Sequence, residues 1–101
     1  RKTLDGNALL LNNNQNGYLV SPVFEDTITR ITVTIKSFNG SSASLKLFSI
    51  NGSNEVEVGV STTVSGSNIV TYTWENVSLN QFKLVNMTNY IIIDNIIMEG
   101  S

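Results

Sequence analysis

The chain has 101 residues, of which 41 % are hydrophobic and 14 % charged, with six basic and eight acidic side chains. That length fits one domain with a modest core, and the composition excludes intrinsic disorder, which needs few apolar residues and a high net charge. A formal charge of −2 leaves no electrostatic footprint for a nucleic acid or an anionic membrane surface.

Histidine and cysteine are both absent. Without histidine, the side chain best suited to move a proton near neutral pH is missing, and Ser–His–Asp and Cys–His catalysis go with it. Ordinary zinc, copper and non-haem iron sites are excluded as well, as are disulfides and thiol chemistry. Any metal must be a hard one held by oxygens, with calcium first among them. The expectation is a chain that is not an enzyme.

The longest apolar run, Tyr90–Ile93, resumes at Ile96–Met98 after Asp94 and Asn95 and falls far short of the ~20 residues that span a bilayer. Nothing at the N-terminus reads as a secretory signal. The abrupt start at Arg1-Lys2-Thr3 leads us to expect that residues 1–101 form a single module of a larger secreted protein.

In chain order the texture is β throughout. Ala8–Leu11 and Tyr18–Phe24 read as two strands around the polar loop Asn12–Gly17. Thr29–Ser37 alternates cleanly, with Ile31, Val33 and Ile35 on one face and Arg30, Thr32, Thr34 and Lys36 on the other, the mark of a strand with one wet side. Asn39-Gly40 is a turn, and Leu45 and Leu47 mark the next strand. A second turn at Asn51-Gly52 leads into Glu55–Val60, with valines inward and glutamates outward. After the polar stretch Ser61–Asn68 come strands at Ile69–Trp74, Phe82–Val85 and Tyr90–Glu99. About eight short strands at this spacing predict an all-β, antiparallel sandwich.

Three segments carry a resemblance. Asn7-Ala8-Leu9-Leu10-Leu11 is followed by Gly17-Tyr18-Leu19-Val20-Ser21-Pro22-Val23-Phe24, then the strand Ile28–Ile35, and the chain closes with Ile93-Asp94-Asn95-Ile96. This order resembles the jelly-roll β-sandwich accessory modules of secreted bacterial proteins, grouped with choice-of-anchor, MAM-like and carbohydrate-binding domains. The resemblance implies a jelly-roll sandwich that binds or positions rather than catalyses. Its motifs describe a fold more than a pocket.

The candidate ligand-binding residues are aromatic rings that stack on sugar C–H faces and amides that bond hydroxyls. Trp74, the only tryptophan, shares one strand face with Tyr72 and Val70, so the pair is either a stacking platform or part of the core. Tyr18 and Tyr90 lie at strand edges with the same ambiguity, and Asn12, Asn14 and Gln15 would supply hydrogen bonds from their loop. Asp94 interrupts an apolar strand, where a bare charge is expensive to bury. It either holds a structural calcium ion with Asn95 and carboxylates from Asp5, Glu25 or Asp26, or caps the sheet by accepting hydrogen bonds. Glu55 and Glu57 read as a solvated edge. Asn39, Asn51, Asn76 and Asn86 open Asn-x-Ser/Thr sequons, which would be glycan sites on loops in a eukaryotic secreted protein and are expected by chance in an Asn- and Ser-rich bacterial module.

The functional expectation is a non-catalytic accessory module of a secreted or cell-surface bacterial protein that binds a carbohydrate or other surface ligand beside neighbouring domains. No nucleic acid and no membrane insertion are expected, and no cofactor apart from that structural calcium. The alternative is a spacer or a protein–protein adhesion domain without a sugar ligand.

Overall fold

The structure is a computed structural model and describes residues 2–4, 9–11, 17–87 and 90–100. Nine strands occur among them: β1 (Lys2–Leu4), β2 (Leu9–Leu11), β3 (Tyr18–Val20), β4 (Ile28–Ser37), β5 (Leu45–Asn51), β6 (Asn54–Val60), β7 (Ile69–Leu79), β8 (Phe82–Asn86) and β9 (Ile91–Gly100). They form two antiparallel sheets packed as a jelly-roll sandwich. One sheet has the order β1-β9-β4-β7, with β2 beside β1 on the same edge of β9, and the other the order β3-β8-β5-β6. Among the described residues no helix is long and apolar enough to cross a membrane. The sequence reading misses β1 and ends β7 five residues early, at Trp74 rather than Leu79.

β4 organises the first sheet because it is paired on both sides. Its neighbours in register are Ile31 with Trp74 and Met98, Val33 with Tyr72 and Ile96, and Ile35 with Val70 and Ile93. Residues directly opposite on neighbouring strands point to the same side, so the burial of Ile31, Val33 and Ile35 carries their neighbours inward. From the second sheet Leu45, Leu47, Phe82 and Leu84 meet them, all buried. The outer face of β4 and β7 carries two threonine pairs, Thr32–Thr73 at 3.0 Å and Thr34–Thr71 at 3.4 Å between hydroxyls. Arg30 bridges Glu75 at 2.9 Å and Glu99 at 3.1 Å, tying both neighbours to the central strand at an exposed position.

Asp94 and Asn95 resolve a conflict of phase. Ile91 and Ile93 are buried, and so are Ile96 and Met98, a spacing that breaks strict alternation by one residue. A β-bulge absorbs the extra residue: Ile93 pairs with Ile35 but Asn95 already pairs with Thr34. A bulge bends the strand and re-aims a side chain without flipping the rest to the wrong face. The Asp94 side of the strand is exposed, so its carboxylate lies in water and needs no partner to offset burial.

The bulge yields an expected outcome that separates pattern from accident. Deleting Asp94 restores unbroken alternation and should leave a folded domain with near-native far-UV circular dichroism and a cooperative melt. Deleting Thr32, from the regularly paired centre of β4, flips half of that strand's core residues outward and should abolish the melt.

Candidate functional site

Trp74 lies in the core, 5 % exposed, because its register opposite Ile31 sets its face. Its ring meets Tyr72 edge-on, with centroids 5.0 Å apart and planes at 75°. Its Nε1 is buried without a hydrogen-bond partner among the described residues, under Gly59, 3.7 Å from where a Cβ there would stand. Tyr72 is half-buried and packs against the same core. The stacking platform expected of Trp74 and Tyr72 is therefore corrected to core packing. The outward positions of β7 are held instead by Thr71 and Thr73.

Tyr18 is placed differently. At the start of β3, Tyr18 is 54 % exposed on the outer face of the second sheet. Two rows of side chains cross that face in register: Tyr18, Val85, Lys46 and Val60, then Val20, Lys83, Phe48 and Glu57. The Lys83 ammonium sits 4.6 Å from the Tyr18 ring centroid, and the Lys46 ammonium 5.9 Å from that of Phe48. Cations so placed are attracted by the ring quadrupole and hold the rings in position.

Each lysine also has a carboxylate from the edge strand β6. Lys46 lies 3.3 Å from Glu57, and Lys83 3.4 Å from Glu55. The two cations and two anions cancel, so the face presents aromatic and aliphatic surface with no net charge from these groups. Beside it Lys46, Phe48, Val85, Asn86 and Met87 line a shallow cleft of about 230 Å³. The outward reading of Glu55 and Glu57 agrees with the structure, which adds the lysines they neutralise, but the inward reading of the valines is corrected: Val56, Val58 and Val60 are all exposed on this edge strand.

A second aromatic pair escaped the sequence reading. Phe38, just past the end of β4 and 57 % exposed, tilts 59° against Tyr90 with centroids 5.8 Å apart. The Phe38 amide donates to the Tyr90 carbonyl at 3.2 Å. An aromatic directly before the Asn39-Gly40 turn was the available signal, since turns beside rigid strands carry binding residues.

Asn12, Asn14, Gln15 and Asp5 lie outside the described residues. Glu25 and Asp26 are exposed in the connection before β4, whereas Asp94 borders Thr34 near its far end. Thr34 is six positions along β4 from Ile28, about 20 Å of strand. The expected grouping of Glu25 and Asp26 with Asp94 is thus corrected: the strand's length holds them apart. Among the described residues no three acidic side chains come together as a metal site. The sequon at Asn86 is buried within β8.

No known family profile matches the chain, and no curated protein matches it. Solved structures do. A carbohydrate-binding module CBM36 in complex with calcium and xylotriose is similar at a TM-score of 0.66 and 20 % identity, over 97 % of this chain and 92 % of that one. A family 6 carbohydrate-binding module is similar at 0.59 and 15 % identity, over 100 % and 88 %. CsCBM6-3 from Clostridium stercorarium, in complex with cellobiose, is similar at 0.59 and 12 % identity, again over 100 % and 88 %. At these identities the likeness is one of fold: this chain has the jelly-roll sandwich of carbohydrate-binding modules.

A core Trp74 should show blue-shifted fluorescence and weak quenching by acrylamide. Trp74→Ala should destabilise the domain by about 3–5 kcal/mol in a denaturant titration.

Proposed function

We propose that this chain is a non-catalytic module that binds a neutral carbohydrate on the outer face of β3, β8, β5 and β6, with Tyr18 as the stacking ring. The observation that carries the reading is the exposed Tyr18 ring, held over Lys83 on a face whose charges are paired. A flat ring with a polar tip suits the C–H face of a sugar, and a charge-balanced surface suits a ligand without charge. The fold shared with modules solved with xylotriose and cellobiose supports it. Phe48 and the adjoining Met87 would extend the contact. The same reading makes the chain an accessory domain of a secreted or cell-surface protein, raising the effective concentration of its neighbours at a polysaccharide.

The test is isothermal titration with xylo- and cello-oligosaccharides. Tyr18→Ala should weaken binding about tenfold or more with the melting temperature unchanged. An unchanged affinity would remove Tyr18 from the site, and no binding by the unaltered chain would favour the spacer or adhesion reading.

A calcium ion belongs to this proposal. The similar CBM36 structure is a calcium complex. Here the Asn95 Oδ1 is buried without a hydrogen-bond partner among the described residues, next in sequence to the exposed Asp94. A carboxylate and an orphaned amide oxygen at one bulge fit a hard cation in kind, and Asp94 and Asn95 are the residues that would hold it. Calcium should raise the melting temperature relative to chelator, and Asp94→Ala should erase that difference.

A further inference from the structure

Toward the far end of the sandwich, Ser49, Asn51, Ser78, Asn80 and Gln81 converge on a cleft of about 520 Å³. It lies where the β5–β6 hairpin, the β7–β8 turn and the segment before β4 meet. Lys46 stands in the Tyr18 row, and Asn51 is five residues further along β5, about 16 Å away. The centre of the cleft is therefore displaced from Tyr18, although Ile50 in its wall is only two residues past Phe48, so the cleft begins where the Tyr18 face ends.

Among the described residues no charged side chain lines it. Asn80 spends its Nδ2 donors on the Phe24 and Asp26 carbonyls, at 3.1 Å each. Gln81 donates its Nε2 to the Ser21 carbonyl at 3.0 Å. These bonds fix both amides in place, and the side-chain oxygens, Asn80 Oδ1 and Gln81 Oε1, accept nothing from the described residues. The Ser49 and Ser78 hydroxyls and the Asn51 carboxamide likewise have no partner among the described residues. Val23, 72 % exposed, and Ile50 add apolar wall.

This set discriminates among ligands. A phosphate or carboxylate would find no cation, and an ammonium group no carboxylate. An apolar ligand would strip water from five polar groups and leave them unpaired. A ligand rich in hydroxyls donates to the fixed carbonyl oxygens, accepts from the serines and Asn51, and lays a C–H face on Val23 and Ile50. We infer that this cleft is a second saccharide site, for a neutral sugar unit, beyond the end of the Tyr18 face. The inference rests on the carbohydrate reading above.

The experiment is a pair of ¹H–¹⁵N titrations of the unaltered chain, with xylotriose and with cellobiose, repeated on Asn51→Ala/Ser78→Ala. Amides of residues 49–52 and 78–81 should shift saturably with at least one sugar. In the double variant those shifts should weaken about tenfold or more, as expected for two lost hydrogen bonds, while shifts around Tyr18 persist. Both substitutions are at exposed positions, and an unchanged melt confirms the fold. If residues around Tyr18 shift and the cleft amides do not, the second site is refuted and the carbohydrate reading stands. Cleft shifts that survive the double substitution unaltered also refute it. If neither region responds to either sugar, both readings fall together.

Discussion

The pairing of β4 on both of its edges is the constraint on which the rest of the structure depends. A strand held by two ladders cannot slip by one residue without turning Ile31, Val33 and Ile35 into water, and those three side chains are fully buried. Register then propagates outward. It dictates that Trp74 and Tyr72 face the core, and that the threonines of β4 and β7 meet each other on the outside. In β9 it makes the spacing of four buried residues closable only by a bulge.

The bulge shows how one surplus residue becomes a chemical feature. Asp94 sits in an otherwise apolar strand, yet it remains in solvent because the strand bends there instead of flipping. Asn95, next to it, leaves a buried carbonyl oxygen without a protein partner among the described residues. That combination of carboxylate and orphaned oxygen follows from backbone geometry rather than from any clustering of acids in sequence.

The second sheet solves a different problem. Its edge strand β6 is exposed along most of its length, and an exposed edge with three valines invites association. Glu55 and Glu57 answer by reaching across to Lys83 and Lys46, which in turn lie against aromatic rings. Exposed ion pairs contribute little to stability individually. Here they neutralise the face around Tyr18 and hold the lysine stems against it. The polar cleft at the far end of β5 differs in having no charge to neutralise, because amides pinned to loop carbonyls line it.

The sequence by itself determined the all-β sandwich and the positions of most strands, because alternation with period two and Asn-Gly turns are local signals. It also excluded histidine- and cysteine-based chemistry, which composition alone decides. It left the face of Trp74 open, since Val70-Tyr72-Trp74 and Ile69-Thr71-Thr73 alternate equally well and only pairing with β4 chooses between them. Tyr18 was legible as a candidate, but its exposure above Lys83 joins residues 65 positions apart in the chain. Phe38 and Tyr90 are likewise distant in sequence and meet only where β4 and β9 run side by side. The separation of Glu25 and Asp26 from Asp94 was invisible for the same reason. Local patterns write secondary structure into the sequence, whereas the company each side chain keeps is set by which strands become neighbours, and that is decided by the collective burial of the core.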